Sequence, residues 1–62
     1  MDYLDAWIDR LMRREWKAGL RAGVVKPESL ARTLVLRAKS RGLTPYPQVQ
    51  IEVRLREMRD VG

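Results

Sequence analysis

Between residues 2 and 22 the apolar positions recur at helical spacing. At about 100° per residue, Leu4, Trp7, Ile8, Leu11, Met12, Ala18, Gly19 and Ala22 share one face. Arg10, Arg13, Arg14, Lys17 and Arg21 occupy the opposite arc, with Trp16 and Leu20 on one border of that basic stripe and Tyr3 on the other. The pattern predicts a single amphipathic helix over about residues 2–22. Asp2 suits the N-cap, with Asp5 at N3 of a near-capping box. Acidic residues early and basic residues late match the helix dipole, and Asp9 and Arg13 are spaced as an i,i+4 ion pair. Gly23 supplies a C′ residue, before the connector Val24-Val25-Lys26.

A second helix is predicted over about residues 27–41. Pro27 fits N1 and Glu28 the first turn. Leu30, Ala31, Leu34, Val35 and Ala38 span an arc of about 140°. Gly42 followed by Leu43 matches a Schellman ending. Leu36 projects opposite the apolar face. A competing assignment makes Thr33 to Ala38 a strand, with Leu34, Leu36 and Ala38 inward.

Thr44-Pro45-Tyr46-Pro47 ends the helix and favours extended backbone. Beyond it Val49, Ile51, Val53 and Leu55 alternate with Gln48, Gln50, Glu52, Arg54 and Arg56. Strict alternation with three β-branched residues predicts a half-buried strand over about residues 48–56. Wound as a helix, the same segment would set Val49 and Val53 opposite Ile51 and Leu55. A lone strand needs a pairing partner for its backbone. The same strand of a second copy supplies one, so Val49, Ile51, Val53 and Leu55 become the expected dimer seam. The expected fold is therefore mostly α: two helices and a C-terminal amphipathic strand pairing across a homodimer. The alternative is a three-helix domain resembling helix-turn-helix proteins. It draws on Ala38, Gly42, Leu43 and Thr44, whose A-x-x-x-G-L-T spacing resembles the turn of that motif, with Gln48-Val49 opening a recognition helix. Arg37 and Arg41 stand where the motif is usually apolar, and Pro47 intrudes.

Composition narrows the chemistry. The chain has 62 residues and neither cysteine nor histidine. It allows one domain, without disulfides or the usual zinc spacings. The common nucleophile–base pairs cannot be built, and no glycine-rich phosphate loop is present. No enzyme activity, metal or cofactor is expected. No apolar run is long enough to span a bilayer, and the acidic start leads directly into a helix pattern. Those features predict a cytoplasmic protein. A membrane-surface role for the basic amphipathic first helix is a weaker reading.

Charge is the strongest functional signal. Residues 10–41 carry ten Lys/Arg against Glu15 and Glu28, for a net of +8, whereas residues 1–9 sum to −3 and residues 42–62 to zero. Clustered arginines can fork onto phosphate oxygens and release counterions without reading sequence. The expected function is a small basic nucleic-acid-binding or transcription-regulatory accessory protein. Its phosphate contacts would come from Arg10, Arg13, Arg14, Lys17, Arg21, Arg32, Arg37, Lys39 and Arg41. The outward face of the expected strand resembles, in chemistry only, the reading ribbon of ribbon-helix-helix repressors; there the strand precedes the helices, and here it follows them. The alternative function is a protein-interaction module, such as a small subunit, adaptor or inhibitor. It would dock on a larger protein partner through Trp16, Leu36 and the strand edge.

Overall fold

A computed structural model describes residues 2–61. Asp2 caps the first helix, α1 (Tyr3–Leu11), by accepting the Asp5 N–H at 2.8 Å. The helix expected to run to residue 22 stops here. Met12 and Arg13 are both extended, with ψ of 134° and 149°, and a second helix, α2 (Arg14–Arg21), begins afresh. Neither proline nor glycine lies at the break; side-chain phase causes it. On one continuous helix, Leu20 would point about 150° away from the mean direction of Leu4, Ile8 and Leu11, and Trp16 about 110°. Two extended residues re-aim α2, so that Leu20 is buried with Ile8 and Leu11 while Trp16 packs against the same core. Burying Leu20 yields about 1.5–3 kcal/mol and the packing of Trp16 adds to it, against roughly 1 kcal/mol net for each helical hydrogen bond given up at the break. Ala18 and Ala22, expected on the buried face, are exposed instead. The expected Asp9–Arg13 pair does not form; Arg13 meets Glu15 at 2.8 Å.

A full Schellman turn ends α2. Gly23 takes φ 79°, its N–H donates to the Leu20 carbonyl at 3.2 Å, and the Val24 N–H donates to the Gly19 carbonyl at 2.9 Å. This turn folds Val25 back over Gly19, where an added Cβ would lie 2.6 Å from Val25 Cγ2. Gly19→Ala therefore gains about 1 kcal/mol of helix propensity but loses roughly 1–3 kcal/mol to overpacking. A net loss of stability is expected, and the Gly19→Ala/Val25→Ala double variant should recover part of it. Urea unfolding of the four members of this cycle measures the coupling.

The third helix, α3 (Pro27–Ser40), follows the sequence pattern closely. Lys26 is its N-cap and Pro27 occupies the first turn. Leu30, Ala31, Leu34 and Ala38 are buried, and Leu36 projects away at 61% exposure. A second Schellman turn closes it at Gly42, with φ 73° and the Leu43 N–H on the Ala38 carbonyl at 2.9 Å. The strand alternative for Thr33–Ala38 is excluded.

The C-terminal expectation is overturned. Residues Gln48–Val61 form a fourth helix, α4, and there is no strand among the described residues. Ile51 and Leu55 are fully buried, Met58 packs against the same core, and Val49 and Val53 are 66% and 48% exposed. The helical spacing i, i+4, i+7 of Ile51, Leu55 and Met58 outweighs the shorter alternation. Ion pairs at helical spacing, Arg56 with Glu52 at 3.0 Å and Arg54 with Glu57 at 3.7 Å, reinforce the choice. Four helices thus replace both the two-helix-plus-strand fold and the three-helix alternative. The ribbon that motivated a homodimer is absent, and Ile51 and Leu55 belong to the internal core instead of an intermolecular seam.

α3 packs most extensively on α4, and α1 lies against both. α2 is held by side chains, with Leu20 in the core and Trp16 beneath the Arg37 guanidinium of α3. Trp7 of α1 meets Tyr46 of the α3–α4 connection edge to face, at 5.3 Å and 71° between planes.

Candidate nucleic-acid interface

The basic residues divide by what they touch. All three arginines after residue 41 meet carboxylates. Arg54 bridges Asp2 at 3.1 Å, contacts Asp5 and lies near Glu57; Arg56 pairs with Glu52; and Arg59 pairs with Asp60. Of the ten Lys/Arg in residues 10–41, Arg13 alone has a carboxylate partner among the described residues.

Arg54 clasps α4 to the start of α1. Asp2 is held below its ordinary value of 3.8, first by the Asp5 N–H it accepts and also by the Arg54 guanidinium. Arg54 is pushed up by its bonds to Asp5 and then Asp2. A carboxylate lowered in the folded state stabilises above its unfolded pKa, and that contribution fades as pH falls through the folded value. Asp2→Asn keeps a capping oxygen but removes the charge. Thermal melts should show wild type more stable than Asp2→Asn at neutral pH, with the difference closing as pH falls below 3.8.

The nine basic residues expected to bind phosphate do not form one stripe. The break after α1 splits the five assigned to a single helix. Arg10 lies on one flank of α1, in a cleft with Tyr3, Ala6, Trp7 and Tyr46. Lys17 and Arg21 line a groove shared with Asp5, Asp9 and Glu57, so their field is partly offset. Arg14 shares a shallow cleft with Asp9, Met12, Arg13 and Lys17. Arg13 and Arg37 converge on Trp16, at 5.8 and 5.5 Å from its ring centroid. Trp16 is thus half-buried beneath two guanidiniums, and the Nε of Arg37 is buried without a hydrogen-bond partner in the protein. Arg41 caps α3, one turn beyond Arg37. Arg32 and Lys39 share the outer face of α3 with Leu36 and are exposed.

α4 occupies the place of a recognition helix in the helix-turn-helix comparison, but its chemistry differs. It carries three arginines and three carboxylates, and each arginine is already engaged. Residues 41–47 between α3 and α4 exceed the three or four residues usual in that motif's turn. The base-reading role considered for Gln48, Gln50, Glu52, Arg54 and Arg56 on a ribbon falls with the strand.

Two features escape the sequence reading. One is the Arg54 clasp. The other is the aromatic lining of the Arg10 cleft, whose local signal is Tyr3 and Trp7 at i,i+4 with Arg10 three residues further on.

No family model matches the chain, and no curated protein or solved structure is significantly similar to it. Among the described residues, no helix is long and apolar enough to cross a membrane.

Proposed function

We propose that this protein binds nucleic acid through the phosphate backbone, without a sequence-reading helix, as an accessory or regulatory factor. The observation that supports it most is the division of charge. Between residues 10 and 41, nine of ten Lys/Arg lack a carboxylate partner among the described residues, while every later arginine has one. Cations left unpaired on a small surface suit counterion release from a polyanion. The neutral, internally paired α4 argues against insertion of that helix into a groove.

The test is a fluorescence-anisotropy titration of random-sequence nucleic acid across a series of salt concentrations. Binding whose log K falls linearly with log salt is expected. No binding at low salt would refute the proposal.

The docking-module reading keeps one supporting observation. Leu36, Val49 and Val53 are exposed apolar side chains on the outer faces of α3 and α4. Its strand edge does not exist, and Ile51 and Leu55 are unavailable to a partner.

A further inference from the structure

We propose that the cleft between α1 and the α3–α4 connection is a nucleobase-stacking subsite, giving the protein a preference for unpaired over duplex nucleic acid. The inference rests on the nucleic-acid reading and assigns a substrate class to it.

The cleft holds about 300 Å³ and is lined by Tyr3, Ala6, Trp7, Arg10 and Tyr46. Tyr3, Trp7 and Arg10 stand at i, i+4 and i+7, which places them along one side of α1. Tyr46 enters from between two prolines and braces Trp7 edge to face. Tyr3 itself is 88% exposed. An open aromatic ring beside an unpaired arginine is the pairing that single-strand binders use: the ring takes a base face and the cation takes the phosphate.

An aromatic lining free of carboxylates sets this cleft apart from its neighbours. The groove between α1 and α4 sets Arg54 against Asp2 and Glu57, the next sets Lys17, Arg21 and Arg54 against Asp5, Asp9 and Glu57, and that beside Arg14 sets Arg13, Arg14 and Lys17 against Asp9. The Tyr3–Arg10 cleft has no carboxylate in its lining, and Arg10 has no ion-pair partner among the described residues. α1 therefore has one flank where Asp5 and Asp9 offset the neighbouring cations, and one where Arg10 meets no carboxylate. A duplex keeps its bases stacked on each other, so only Arg10 could engage it here. A single strand offers its base faces to Tyr3.

The experiment compares a short oligothymidylate, the matching oligouridylate and a duplex of equal length by anisotropy titration. Wild type should bind both single strands more tightly than the duplex, because stacking uses the π-face and not the sugar. Tyr3→Ala, at an exposed position that leaves the core intact, should weaken single-strand binding about 5- to 150-fold. It should leave duplex affinity and the salt slope unchanged, and Tyr3→Phe should bind as wild type. Arg10→Gln should instead make the single-strand salt slope shallower by about 0.7. The subsite is refuted if Tyr3→Ala binds single strands as wild type does, or if wild type binds duplex equally well; the phosphate reading survives either result. Absence of binding to all three ligands refutes the phosphate reading and the subsite together.

Discussion

Ile51→Lys should unfold this protein, and Val53→Lys should leave it folded. Ile51 is fully buried among Leu34, Leu55 and the rest of the core, and nothing there can pair with an ammonium group. Burying an unpaired charge costs several kcal/mol. A domain this small, without a cysteine to form a disulfide, rarely holds more than about 3–5 kcal/mol in reserve. Val53 lies about 160° around α4 from Ile51 and is 48% exposed. Its lysine can reach water along an aliphatic stem, and lysine is the better helix former. On a strand the two positions would share a face and fail together. Far-UV circular dichroism and thermal melts of the two variants decide the matter. Equal tolerance would remove Ile51 from the core, and equal loss would mean that both faces of α4 are covered.

The second large effect concerns affinity. Replacing Arg14, Arg32, Lys39 and Arg41 by glutamine should leave the fold intact, because all four are exposed and none has an ion pair among the described residues. Glutamine also matches their helix propensity closely. Each phosphate contact removed should make the log K against log salt slope shallower by about 0.9 on duplex, which amounts to roughly tenfold in affinity at 50 mM salt. Loss of all four contacts thus reaches on the order of 10³- to 10⁴-fold. Arg56→Gln with Arg59→Gln is the control, since those guanidiniums already face Glu52 and Asp60. An equal drop per charge removed in both sets would show that only total charge matters, and no drop in either would remove phosphate contact from the account.

Local signals were legible and long-range ones were not. Asp2, Pro27, Gly23 and the Gly42-Leu43 pair act through their own turn of backbone, and each end of α3 falls within a residue of its expected place. The α1–α2 break was illegible as a boundary because no residue at Met12-Arg13 breaks a helix. Its trace was the misplaced phase of Trp16 and Leu20, which is a demand of the core. The strand assignment failed because the window closed at Arg56, before Met58 could complete the helical spacing. For the candidate site, the excess of positive charge was countable, but its pairing state was not. Arg54 meets Asp5 and Asp2 across 49 and 52 residues of chain. The aromatic cleft depends on Tyr46 arriving beside Trp7, which only the packed helices arrange.

The Arg54 clasp and the burial of Ile51 and Leu55 also bear on synthesis. Helices α1 to α3 emerge from the ribosome with the α4-facing side of α3 still open to water, because α4, which packs on α3 more extensively than α1 does, is made after them. Folding is therefore a late event, completed only when α4 arrives. A transcript cut short before residue 51 would yield a sticky three-helix fragment, open to proteases and chaperones. Quality control of this four-helix unit thus turns on whether α4 has been made.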